Sequence, residues 1–285
     1  MTYFLNFRGG SIGGPVVDPY LLTGDGTTSP PSVAVVEWPL VPSVVAGKDI
    51  LFVAHGFNVP YEYGACSLGR LEEYLNLPEP GLFIGVLWPG DAWIPVVDYP
   101  FEGDVAIECG RKLADFCNTC CRQAASLSFA SHSLGGRLIL EAIAGLDGDA
   151  ELACVTAGAV NNDCLDTEYS GSTKQANRIY ALASENDRVL KYAFAIGDPF
   201  ADLLHDDHTP FELAFGTRGP AAPIPDKVRR PWQITKQVYD HGDYLPSGNI
   251  PAPPPPAPPD VEKWTRVADF MKRAFLGQTQ TWPGG

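Results

Sequence analysis

The 285-residue chain has no run approaching the roughly 20 consecutive apolar residues that a membrane-spanning helix needs. Its first residues, Met1-Thr2-Tyr3-Phe4-Leu5-Asn6-Phe7-Arg8, lack a basic segment followed by an apolar stretch and a small-residue cleavage site, so no export signal is expected. Cysteine is scarce: seven residues, an odd number, fall far short of the roughly 8–10% typical of disulfide scaffolds. A reducing, cytoplasmic setting is therefore expected. Positive charge is also short, with 20 Lys+Arg against 34 Asp+Glu and a formal net charge of −14. Such a surface repels polyanions, and the one short basic cluster, residues 227–230, is too small to bind nucleic acid. No period of 20–50 residues recurs, which excludes solenoids and propellers.

What the chain has is a 45% hydrophobic composition, enough to close a large core, over a length that suits one α/β domain. Short apolar or β-branched runs alternate with helical stretches. Strands are expected at residues 32–38, 49–54, 82–88, 127–131, 152–160 and 177–183. Helices are expected at residues 63–75, 104–122, 134–146 and, closing the fold, 261–276. This alternation means βαβ units and a mainly parallel sheet covered on both faces, with the first two strands as an antiparallel edge. Two segments break the pattern. Residues 198–231, rich in Pro, Asp and Gly, read as a lid or substrate-shaping excursion, and residues 251–259 read as a stiff proline-rich strap.

The sharpest chemical signal is Phe129-Ala130-Ser131-His132-Ser133-Leu134-Gly135-Gly136, placed where a strand stops and a helix begins. A nucleophile elbow needs that context, because its turn is so tight that neighbouring residues must be small. Ser131 stands where glycine is usual, and Gly135 fills the second small position. A serine nucleophile also needs two backbone N–H donors for the tetrahedral oxyanion. Leu134, next to the serine, and Phe57, in the turn His55-Gly56-Phe57 after the central strand, are the candidates.

Serine is a weak nucleophile without a histidine base oriented by a carboxylate. Of the five histidines, His132 sits in the elbow and should pack between strand and helix, and His55 belongs to the oxyanion turn. His205 and His208 lie in the excursion. His241, in Tyr239-Asp240-His241-Gly242-Asp243-Tyr244, is late in the chain and flanked by loop formers, so it is the best base. Asp187, just past the strand at 177–183, is the preferred acid, with Asp163 and Glu185 as rivals.

These pieces resemble the α/β-hydrolase superfamily, and more narrowly its "alpha/beta hydrolase of unknown function" (DUF900-type) group. The resemblance rests on residues 52–58, Val86-Leu87-Trp88-Pro89-Gly90-Asp91, the elbow, residues 156–160, residues 180–187 and His241-Gly242-Asp243-Tyr244. It covers residues 49 to 245. It implies an α/β-hydrolase fold, a mainly parallel central sheet with helices on both faces, with Ser133 as nucleophile, Asp187 as acid and His241 as base. The implied activity is hydrolysis of a carboxylic ester, with a small-molecule acyl ester as substrate and no cofactor. A thioesterase, amidase or other acyl-transfer activity on the same triad is the enzymatic alternative. A non-catalytic binding scaffold is the alternative of a different class.

Other features have plainer readings. Cys117 and Cys120 share a helix face with Leu113 and Phe116, as buried thiols acting as small hydrophobes do. Cys109 and Cys121 belong to the same stretch, and His205-Asp206-Asp207-His208 lacks a third anchor at metal-site spacing. Trp88, Trp93, Tyr99 and Phe101 supply either core or an aromatic wall over an acyl pocket. Oligomeric state is not legible.

Overall fold

The computed structural model describes residues 1–10, 14–91, 95–191, 214–248 and 258–283 of the chain. Side chains are described from residue 103 within the helix that begins at Pro95, and from residue 260 within the one that begins at Pro258. The strands are β1 (Thr2–Arg8), β2 (Val16–Asp25), β3 (Ser32–Val35), β4 (Asp49–Ala54), β5 (Gly81–Leu87), β6 (Ser126–His132), β7 (Leu152–Thr156), β8 (Ile179–Leu182) and β9 (Val228–Arg229). The helices are α1 (Val41–Val45), α2 (Tyr61–Leu75), α3 (Pro95–Cys120), α4 (Gly135–Ala144), α5 (Ser170–Gln175), α6 (Phe215–Arg218) and α7 (Pro258–Phe275).

The strands form one sheet in the order β3-β2-β1-β5-β4-β6-β7-β8-β9. All pairings from β1 to β9 are parallel, while β1–β2 and β2–β3 are antiparallel. β4 is buried from Ile50 to Ala54, as expected for a central strand covered on both faces. Phe52 and Phe129, paired across β4 and β6, stack with ring centroids 5.4 Å apart. Burying each of those rings stabilises the fold by about 2–3 kcal/mol.

From β4 the chain steps to β5 on one side, then crosses to β6 on the other. Right-handed crossovers in opposite directions put their helices on opposite faces of the sheet. Accordingly α2 pairs with α7, while α3 pairs with α4, with α1 and α5 alongside. Where the direction reverses, the neighbouring strand ends leave a crevice at their C-terminal edge, the usual ligand site of an open α/β sheet. The turns after β4 and β6 open there.

Three sequence expectations change. The strand at 49–54 is central and parallel; the antiparallel edge is β2–β3, reached through β1. The chain from 198 to 231 is not uniformly a loose excursion, since α6 is buried at Phe215, Gly216 and Thr217 and β9 pairs with β8. β9 completes the sheet edge, and residues 198–213, with His205 and His208, lie outside the described residues. The strap can extend no further than residue 257, because α7 begins at Pro258. Most of it lies outside the described residues.

Candidate active site

Ser133 sits between β6 and α4 with φ of 55°, the left-handed conformation that a strand-to-helix elbow forces on its central residue. Its N–H donates to the Thr156 carbonyl at 3.0 Å, and its carbonyl accepts from Gly136 and Ala159. The elbow is therefore fixed to the end of β7 as well as to its own helix. Small residues are needed where it meets β4. A Cβ on Gly56 would stand 2.9 Å from Ser133 Cβ, and one on Gly135 would stand 2.5 Å from the His55 carbonyl oxygen and 3.0 Å from that of Ala54. Gly135→Ala is therefore expected to lower folding stability by about 3 kcal/mol, because backbone cannot move aside as a flexible side chain can. Urea unfolding of the variant beside wild type checks this.

The structure brings the three residues singled out from sequence into one line. His241 Nε2 lies 2.8 Å from Ser133 Oγ, and His241 Nδ1 lies 2.8 Å from Asp187 Oδ2. A carboxylate accepts only, so the Nδ1 carries the proton and Nε2 presents its lone pair to the serine hydroxyl. Asp187 is fully buried and its other oxygen accepts the Leu190 N–H at 2.9 Å. Among the described residues neither rival acid makes a hydrogen bond or ion pair with His241. Glu185 is exposed and pairs with Arg218, and the Asp163 carbonyl accepts from the Thr167 hydroxyl in the turn after β7.

The loop bearing His241 is held by charged groups that sequence reasoning missed. Asp240 caps the short 3₁₀ turn His241–Asp243, accepting the His241 N–H at 2.9 Å, and donates its own N–H to Asp243 at 2.7 Å. Arg188, next to Asp187, binds the Asp240 carboxylate through its backbone N–H and its guanidinium. Burial raises the Asp240 carboxyl, but the hydrogen bonds from Arg188 and His241 outweigh it and hold the pKa below the ordinary value. Lys263 of α7 pairs with Asp243 at 2.7 Å. The Asp-x-x-Asp spacing around His241 is the one readable trace of this cap.

His132 lies under His241: its ring is 4.7 Å from that of His241, and its Nε2–H donates to the His241 carbonyl at 2.8 Å. His55 is buried on the other side, stacked on Trp88 with centroids 5.6 Å apart. Trp88 Nε1 donates to the His55 carbonyl at 2.8 Å, so Trp88 is core beneath the turn after β4 and not a wall over a pocket. Trp93 and the side chains of Tyr99 and Phe101 lie outside the described residues. Leu134 N–H, the amide following Ser133, makes no hydrogen bond among the described residues. The Phe57 amide belongs to the turn after β4.

Both supporting histidines are held neutral. Burial, then the Arg8 charge, lowers His55 to about 3, and burial, then His241, lowers His132 to about 3. Unfolding returns each to an ordinary value near 6.5, so the unfolded chain takes up protons that the folded chain refuses. Their contribution to stability is intact above about pH 6.5 and declines as pH falls toward 3, by about 1.4 kcal/mol per pH unit for each. Denaturant unfolding at pH 7 and pH 5 is expected to show this loss, and His55→Asn is expected to show a smaller one.

All seven cysteines are buried thiols outside any disulfide, and burial pushes the Cys154 thiol up to about 12. Cys117, Cys120 and Cys121 cluster with Leu113 and Phe116 in the core, the hydrophobic role expected of them. No helix among the described residues is long and apolar enough to cross a membrane.

A doubly wound parallel sheet with a strained serine at the strand-to-helix turn, late acid and later histidine defines the α/β-hydrolase class. Residues 43–200 match the family described as alpha/beta hydrolase of unknown function (DUF900), and the chain belongs to that family. The matched segment contains Ser133 and Asp187; it begins after β3 and ends before His241. A comparison with curated proteins finds no match.

Proposed function

We propose that the chain is a serine hydrolase that cleaves carboxylic esters through Ser133, His241 and Asp187. The observation that carries this reading is His241 held at 2.8 Å from both Ser133 Oγ and buried Asp187. In the reaction His241 Nε2 takes the hydroxyl proton as Ser133 Oγ attacks the ester carbonyl. The oxyanion accepts from the Leu134 and Phe57 amides, while Asp187 stabilises the imidazolium. The intermediate collapses, the C–O bond to the alcohol breaks, and His241 returns the proton to the leaving oxygen. Water then attacks the acyl-enzyme with the same base, releasing the acid and restoring Ser133.

The test is turnover of matched p-nitrophenyl esters, thioesters and anilides of short and medium acyl chains by wild type and His241→Ala. Ester hydrolysis that is fastest in wild type and lost in the variant supports the reading. Faster thioester or anilide cleavage moves the substrate class while keeping the triad. Binding of acyl compounds without turnover of any of them would leave a hydrolase-shaped scaffold.

A further inference from the structure

We propose that Arg8 is a positioning residue for the oxyanion-binding turn, aiming the Phe57 N–H through His55 and Val59 with Asp91 as its counter-charge; this rests on the serine hydrolase reading above. Arg8 ends β1 and its side chain is only 6% exposed. Its guanidinium makes three contacts: NH1 to Asp91 Oδ1 at 2.7 Å, NH2 to the Val59 carbonyl at 2.6 Å, and NH2 to His55 Nε2 at 3.5 Å. β1 lies outside the segment that matches the family, whereas His55, Val59 and Asp91 lie inside it.

The relay follows from donor and acceptor counting. A guanidinium only donates, so the His55 Nε2 facing it presents a lone pair. The imidazole is neutral, and its single proton is therefore on Nδ1, which stands 2.8 Å from the Gly56 carbonyl oxygen. That carbonyl shares a peptide plane with the Phe57 N–H, and in a trans peptide the two point in opposite directions. Pinning the carbonyl toward His55 fixes the heading of the amide. The turn is tied again where Val59 accepts from Arg8 and where the Asn58 N–H donates to the Gly90 carbonyl after β5. Asn58 has φ of 56°, so the backbone is bent where these ties act. A buried ion pair is weak evidence for stability as such, since apolar replacements of the whole pair are often neutral. Two directed contacts onto one short turn, to His55 and Val59, with Asp91 holding the guanidinium from the other side, give the pair a geometric task.

The test compares wild type, Arg8→Lys, His55→Asn and the double variant. An asparagine amide at position 55 reaches the Gly56 carbonyl as a donor without a tautomer to be set. Each protein is assayed for kcat and KM on a p-nitrophenyl ester and for inhibition by an alkyl trifluoromethyl ketone, whose adduct with serine carries an oxyanion. Arg8→Lys is expected to lower kcat about 10- to 100-fold with KM within about twofold, less than the loss of a whole oxyanion donor. The ketone should weaken by the same factor. In the His55→Asn background the same change should cost less than about threefold, because coupled residues are non-additive. Unchanged kcat in Arg8→Lys, an unchanged ketone affinity, or losses that multiply would each overturn the inference. If Arg8→Lys fails to fold, Arg8→Met/Asp91→Leu leaves no buried charge unpaired and is judged on the same kcat and ketone readouts. Wild type without turnover or ketone inhibition would overturn the hydrolase reading and this inference with it, whereas an active wild type with an indifferent Arg8 would overturn the inference alone.

Discussion

Replacing Ser133 with alanine is expected to lower kcat/KM for a p-nitrophenyl ester by about six orders of magnitude, to the background of the assay. The side chain is small and 95% buried at a fixed turn, so its loss should leave stability nearly unchanged. What disappears is the nucleophile itself. His241, still held by Asp187 at 2.8 Å, would keep a lone pair with no hydroxyl to receive from. Steady-state kinetics beside thermal unfolding checks both halves. A folded Ser133→Ala that keeps more than a few per cent of wild-type activity would mean that another group attacks the ester.

Asp187→Asn should be nearly as damaging, with kcat reduced about ten-thousandfold. The geometry gives the reason. The Leu190 N–H requires an acceptor, so an asparagine places its amide oxygen at the Oδ1 position and turns its NH2 toward His241. Two donors would then meet at His241 Nδ1. The imidazole answers by moving its proton to Nε2, where it faces Ser133 and can no longer accept. The volume is unchanged and the site stays filled, so folding should survive. The measurement is single-turnover kinetics on the same ester. A loss below about tenfold would mean that the tautomer of His241 is set by something other than Asp187.

The parts of the fold that sequence reveals are those where local pattern and tertiary role agree. β4 is a continuous apolar run because both its faces are covered, and α4 carries its buried Leu138, Ile139, Ala142 and Ile143 at helical spacing. β2 hides itself: Pro19 falls where the pairing of β2 with β1 shifts register between Asn6 and Arg8, an irregularity that tolerates proline inside a strand. β1 has Phe4, Leu5 and Phe7 buried on both faces, so no alternation marks it. β9 is two residues long, set by pairing with β8 amid Pro and Gly, and no local propensity announces it.

The same division runs through the site. The proposed triad of Ser133, Asp187 and His241 is legible because a nucleophile, acid and base of this class each need a loop at a strand end, and their order along the chain is characteristic. Arg188 and Lys263 are not, because their task is to hold Asp240 and Asp243 across long stretches of chain. Arg8 is hidden for the same reason: near the N-terminus, nothing in its neighbours indicates His55 or Asp91. The place of His132 in the elbow points to packing between strand and helix, whereas its ring donates to the His241 carbonyl across 109 positions of chain.

The claim on which the rest depends is that Ser133 is an activated nucleophile. It is tested most directly by treating the protein with a fluorophosphonate, digesting it, and locating the phosphonylated residue by peptide mass spectrometry. The account predicts one modification per chain, on Ser133, with labelling lost in His241→Ala. A folded wild type that stays unlabelled, or that carries the label on another residue, would contradict it.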